Sequence, residues 1–297
     1  MIANDARLVA FYRLLGFGYV AHFVRNWVTL RPFWTADFRA EFDSFGSPAA
    51  AHTALALFCV ASVSNLACSV LVLWQTPSRR VILLSTLSLL LEAAAMPIAI
   101  SNHIALMVAA MSFQAVMLLW RKDEAWTVRG LTAILITAYA SAAVHKMNGG
   151  FLDVLDGILA HRLPRTLSSV LGIMAVLFEL IVPIVALLNQ RVRPLLLLGL
   201  LALHFPMNST LGAIDYPWIA TSFYPLFFSS DEWSRIAAEL RERHAVNWLG
   251  AGASLFLFVA LTPHSDLVIY QAAIGAIVSG LWGYATPTLM RRVLPAR

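Results

Sequence analysis

The sequence predicts an all-α fold, a polytopic transmembrane bundle of about eight to ten helices, and three observations predict it. Sixty per cent of the residues are hydrophobic, only 12% are charged, and the apolar residues gather in runs close to membrane-spanning length. A soluble domain is roughly 45–50% apolar and about 25% charged. Halving the charge removes the polar skin that keeps a globule dissolved.

Ten runs read as candidate spans, at 8–24, 52–74, 81–100, 103–120, 129–145, 167–188, 194–209, 214–228, 248–262 and 267–285. Backbone amides in hydrocarbon must find partners within the chain, so each run is expected to be helical. Several runs are short for a full crossing, which leaves eight or nine as alternatives to ten. The whole of 1–297 reads as a single transmembrane domain with no soluble domain. The polar stretch 229–247, DEWSRIAAELRERHAVNW in its core, is charged and amphipathic and is expected to lie on the membrane surface.

The net charge of +5 does not point to nucleic acid, because the arginines are scattered between apolar runs. A nucleic-acid binder gathers them into a stripe. Cys59 and Cys68 lie within one run, about 13 Å apart along a helix, too far for a disulfide in a straight helix. They read as packing thiols. The first run holds Arg13 and no persuasive cleavage site, so it reads as a retained helix.

Positive charge sets the expected orientation. With the N-terminus inside, fourteen Arg and Lys fall on the inner side and six on the outer, with Arg13 inside the first span. Both termini are therefore expected in the cytoplasm of a bacterial inner membrane. His103 then opens the fourth span at its outer end, Lys146 closes the fifth there, and His204 lies near the outer end of the seventh. Three protonatable groups from three helices share one depth, where an ionisable residue usually faces a partner or a cavity. Each also has an ordinary reading. Lys146 can snorkel to the interface, His103 can cap its helix beside Asn102, and His204 can bond a carbonyl freed by Pro206. Glu92 and Glu179 sit deeper. Glu179 in VLFELIVPIV reads as a structural partner or a protonated carboxyl rather than a catalyst. No His-x-x-x-His or carboxylate spacing suggests a metal, and no phosphate-binding glycine loop or nucleophile elbow is present.

Four stretches carry a resemblance: RLVAFYRLLGFGYV at 7–20, SNHIALMVAAMSFQ at 101–114, AYASAAVHKMNGGFLDVLDG at 138–157 and HFPMNSTLGAIDYPWIATSFYPLFFSSDEWSR at 204–235. They are similar to the membrane domain of the vitamin K-dependent gamma-glutamyl carboxylases and their bacterial relatives, the HTTM superfamily. The fourth is the most specific, keeping its His-x-x-Met-Asn-Ser start, its Pro-Leu-Phe end and the Glu-Trp-x-Arg that follows. The helices after about 245 carry no match. By position, the resemblance implies that Lys146 is the base that deprotonates a hydroquinone, that His103 is the catalytic histidine of the Asn-His segment, and that His204, also a candidate catalytic residue, and Asn208 lie close to the reacting centre. It implies a reduced vitamin K-type naphthoquinone as cofactor and no metal. The partners it implies are the lipid bilayer and a peptide or protein substrate. Tyr139, Phe151, Trp218 and Tyr224 are candidates to stack on the quinone, although packing or interface roles are the commoner fate of such aromatics.

The chain departs from the family pattern where a Lys-Lys pair becomes His145-Lys146, the preceding glycine becomes Ala143, and the following tryptophan becomes Phe151. It also shows no counterpart of the large luminal region with which the animal carboxylase grips its protein substrate. The expected function is an enzyme coupling quinone oxygenation to proton abstraction and carboxylation of an acceptor. The alternatives are a membrane maturation or accessory protein for a small peptide, and a non-catalytic membrane protein. A base lysine must be neutral, and an exposed ammonium near pKa 10.4 is not. Burial at the end of an apolar helix favours the neutral form, and a nearby histidine can donate to developing oxyanion charge.

Overall fold

The computed structural model describes residues 5–29, 46–95, 102–148, 165–197, 199–200, 216–242, 244–261 and 269–293. Every regular element among them is helical. The helices are α1 (Ala6–Thr29), α2 (Pro48–Trp74), α3 (Arg79–Ala95), α4 (Asn102–Leu119), α5 (Glu124–Asn148) and α6 (Arg165–Leu188). They continue as α7 (Tyr216–Ser222), a 3-10 turn (Tyr224–Phe227), α8 (Ser230–Glu242), α9 (His244–Leu261) and α10 (Ile269–Val293).

Sequence chemistry fixes several of the ends. Pro48 occupies the first turn of α2, and the Ser47 side chain accepts from the Ala50 N–H at 3.2 Å. Ser78 accepts from the Val81 N–H ahead of α3, and Asp123 from the Trp126 N–H at 2.9 Å ahead of α5. At the end of α4, Arg121 takes a left-handed φ of 54°, and the Lys122 N–H reaches back to the Met117 carbonyl at 3.0 Å. That is a Schellman stop built without glycine.

The expected span at 214–228 is not one helix. It breaks into the seven residues of α7 and the four of the 3-10 turn. Pro225 has no N–H to continue the α ladder. Trp218, Ile219, Ala220, Phe223, Tyr224 and Leu226 are all buried. Among the described residues two helices, Pro48–Trp74 and Glu124–Met147, are long and apolar enough to cross a membrane by length and composition.

The chain forms two compact units. Unit 1 is Met1–Leu131 with Ile214–Leu226, and unit 2 is Thr132–Ala213 with Phe227–Arg297. In unit 1, α1 packs on α2 and on α7. Gly16 lets α1 approach the Ser69 carbonyl, and Gly18 lets it approach Ile219 and Trp218. The α2–α3 seam of this unit is polar. Ser62, Asn65 and Ser69 of α2 are buried, as are Ser85, Ser88 and Glu92 of α3. Leu57, Val60, Val63, Leu84, Leu87 and Leu90 of the same helices are exposed. Small polar groups face in beside Phe58, Val72, Ile82 and Leu89, while many other large apolar groups face out, an exposure that a helix pair built for water avoids.

In unit 2, α9 and α10 pair closely, and a guanidinium ties α6 to α8. Arg193 is buried. Its Nε donates to the Ala186 carbonyl at 2.7 Å, its Nη1 donates to Glu232 Oε2 at 3.4 Å, and it lies over the Phe228 ring. It thus satisfies a carbonyl left open at the end of α6. Glu232 also completes a capping box, accepting from the Ser229 N–H at 2.7 Å while Ser229 Oγ accepts from the Glu232 N–H at 3.2 Å.

Burial alone would raise the Glu232 carboxyl, but hydrogen bonds from Ser229 and the charges of Arg193 and Arg235 outweigh it and hold the group below the ordinary glutamate value. A depressed carboxyl lends stability that is present above its unfolded value, near 4.3, and lost as pH falls through the lower folded value. Glu232→Gln is therefore expected to weaken the start of α8 by about 1 kcal/mol at neutral pH. Amide exchange across the first turn of α8 measures it. The difference from wild type should vanish at acid pH, and one that persists there would mean that charge plays no part.

Candidate functional site

Lys146 lies in the last turn of α5, where the helix dipole favours a cation. Its Nζ is 2.5 Å from both carboxylate oxygens of Glu179 on α6. The lysine side chain is 17% exposed and the glutamate 1%. Glu179, which the sequence left as a structural partner or a protonated carboxyl, thus faces Lys146. Pro183, four residues further along α6, removes the N–H that would otherwise bond Glu179's own carbonyl. Tyr139, Ala143 and Lys146 recur at spacings of four and three, so they share one stripe of α5. Tyr139 and Ala143 are almost wholly buried on that stripe. The carboxylate and the amine can exchange a proton directly, because one hydrogen-bond length separates them.

Trp218 and Tyr224 lie in unit 1. Trp218 is buried with its ring stacked on Phe17, centroids 5.6 Å apart, and Tyr224 is buried too. One face of Trp218 is therefore occupied by packing. His103 belongs to the first turn of α4, but its side chain lies outside the described residues, as do all of Phe151, His204 and Asn208. Cys59 and Cys68 are free thiols, and Cys68 is buried. Among the described residues no group of three His, Cys, Asp or Glu could hold a metal ion.

Unit 1 contains a second cluster of ionisable groups. The Tyr19 hydroxyl donates to Glu92 Oε2 at 2.6 Å, and His22 Nε2 lies 3.4 Å from Glu92 Oε1. Tyr19, His22 and Glu92 are each at most 2% exposed. Glu92 stands out in the sequence as a carboxylate inside an apolar run. Its partners do not, because they lie some seventy residues away in α1. Their signal is the spacing of Tyr19 and His22, one helical turn apart and so on one face.

The chain was compared with protein-family models, with curated proteins and with solved structures, and none of the three comparisons found a match.

Proposed function

We propose that the protein is a multi-pass membrane enzyme of the kind its sequence resembles, in which Lys146 is the base for a reaction of a reduced naphthoquinone with oxygen, coupled to proton removal from a peptide or protein acceptor. The faces of α2 and α3 support the bilayer setting, with small polar residues inside and many leucines and valines outside. Both termini are placed in the cytoplasm and the site toward the outer face, from the bias of positive charge.

The observation that carries the catalytic reading is the Lys146–Glu179 pair. An ionisable pair on apolar helices is costly to maintain and marks a functional site by default. It also supplies what a lysine base needs. When the proton moves from Lys146 Nζ to a Glu179 oxygen, both groups become uncharged, and the amine has a lone pair to accept another proton. Glu179 then returns its proton when the lysine has passed its own on. A reduced naphthoquinone, when bound, supplies the acidic hydroxyl and the electrons for dioxygen. The amine suits that hydroxyl in its chemistry. Trp218 has one face stacked on Phe17. His103 and His204 remain candidate catalytic residues, and Asn208, Tyr139, Trp218 and Tyr224 candidates to hold the quinone, through the family resemblance alone.

The same pair also favours a second reading, a non-catalytic membrane protein in which Lys146 and Glu179 clamp α5 to α6. Oxygen-dependent oxidation of several reduced naphthoquinones by membranes containing the protein decides between them. Turnover by wild type and its loss in Lys146→Ala, at equal amounts of inserted protein, is the expected result. A folded wild type that turns over none of these quinols would remove the enzyme reading and leave the clamp.

A further inference from the structure

We infer that one end of unit 1 is a docking surface for anionic phospholipid, where tryptophan rings sit at the edge of the hydrocarbon and a band of cations meets the headgroup phosphates. The inference rests on the bilayer setting proposed above and not on any chemistry at Lys146. Trp74 ends α2 with 81% of its surface exposed, Trp120 follows α4 at 68%, and Trp126 lies in the first turn of α5 at 60%. Arg79 and Arg80 open α3, Arg121 and Lys122 lie in the turn between α4 and α5, and all four are exposed. The exposed Arg129 lies over the Trp126 ring, 6.0 Å from its centroid.

Packing brings these residues to one end. Asn65 bonds Ser85 and Ser64 bonds Ser88, so α2 and α3 run antiparallel and meet at the short turn 75–78. Gly130 of α5 lies against Phe113 of α4, so those two helices likewise fold back on each other at 120–123. Tyr12 of α1 borders Val81 and Ile82 in the first turn of α3 and lies within electrostatic reach of Glu124, the first residue of α5. Both turns therefore open on the same side of unit 1. The Thr86 hydroxyl, seven residues beyond Arg79, donates to the Met111 carbonyl, ten residues before Arg121. At a helical rise of about 1.5 Å per residue, the two turns lie within about 5 Å of one depth.

Residues follow the order of a bilayer interface along each helix. Val70 and Leu71 are exposed on α2, then Trp74, then the two arginines of α3. Val116 and Leu119 are exposed on α4, then Trp120, then Arg121 and Lys122. Apolar side chains suit the acyl chains, indoles suit the boundary, and cations suit the phosphates beyond it. A soluble acidic partner would need the cations but not the apolar surface that leads up to them. Opposing charge is scarce. Among the described residues of the two turns Asp123 is the one exposed acid, and its carboxylate accepts from the Trp126 N–H at 2.9 Å. At the start of α1, Arg7 pairs with Asp5. Fold stability does not choose these places for arginine. Arg79 and Arg80 occupy the first turn of α3, where the helix dipole disfavours cations and no acid offsets them. Arg121 takes a left-handed φ of 54°, which glycine adopts more readily.

Tryptophan fluorescence of the full chain in vesicles tests the proposal, with brominated acyl chains as quenchers carried either by phosphatidylglycerol or by phosphatidylcholine. The expected result is stronger quenching by the anionic lipid, a preference of about fivefold in relative binding, the worth of one cation beside an anionic surface. That preference should fall toward unity when Arg79→Gln, Arg80→Gln, Arg121→Asn and Lys122→Gln are combined. It should also fall in wild type as salt is raised from about 0.01 M to about 1 M and screens the headgroups. Equal quenching by the two lipids, or a preference that survives the substitutions or the salt, overturns the proposal and leaves the bilayer setting intact. Quenching by neither lipid removes the bilayer setting and the proposal with it. If the substituted chain does not insert, the salt series on wild type decides alone.

Discussion

Lys146→Met is expected to lower stability by about 3–5 kcal/mol, and adding Glu179→Leu to the same chain to restore most of it. The first change strands a carboxyl that is 1% exposed and has no other cation within hydrogen-bond reach among the described residues. The second replaces it with an apolar side chain of similar bulk, and an ion pair exchanged for well-packed apolar groups is often neutral or better. Glu179→Leu alone should cost less than Lys146→Met alone. Lys146 is 17% exposed in the last turn of α5, and its long stem lets the ammonium swing toward water. Unfolding in mixed micelles gives all three values and hence the coupling energy between the two side chains. Equal costs for the two single variants, with no recovery in the double, would mean that the pair is already hydrated. The double variant also separates fold from chemistry: it should be folded and without quinol turnover if Lys146 is the base.

Gly250→Leu or Gly283→Leu is expected to open the α9–α10 pair at about 3 kcal/mol, the upper end of overpacking costs. A Cβ on Gly250 would land on the Gly283 carbonyl oxygen, and a Cβ on Gly283 on the Gly250 carbonyl oxygen. Backbone cannot turn aside as a side chain can. Pro287, four residues beyond Gly283, frees that carbonyl from the helix ladder at the point of closest approach. Separation would also break the Thr288 hydroxyl bond to Asn247 Oδ1 at 3.1 Å. The Trp248–Tyr284 edge contact would go with it. Gly252→Ala and Gly280→Ala are the controls. A Cβ at either meets nothing within 4 Å, so alanine should be neutral or stabilising by about 0.5–1 kcal/mol. The same micelle unfolding measures all four. Tolerance of leucine at Gly250 or Gly283 would mean that the two helices do not touch there.

The helices were legible because long apolar runs leave the backbone no alternative to internal hydrogen bonding. α2, α4 and α6 begin or end within four residues of the expected runs. The segment 214–228 misled because its composition is mostly apolar, while Pro225 decides where its α backbone ends. For the site, Lys146 and Glu179 each stood out as charges in apolar surroundings, but their pairing did not. They are thirty-three residues apart, and sequence spacing does not say which helices become neighbours. Tyr19 and His22 carried less signal still. Both sit in a helix whose other residues look ordinary, and only folding brings Glu92 of α3 against them.

The faces of α2 and α3 have a consequence for how this chain tolerates change. In the proposed bilayer setting, outward positions such as Leu57, Val60 and Leu87 would meet fluid acyl chains, which accept almost any greasy shape but no charge. Inward positions such as Asn65 and Ser85 meet a fixed neighbour, which demands size and hydrogen-bonding pattern together. Drift along these helices is thus free in shape and strict in polarity on one side, and strict in both on the other.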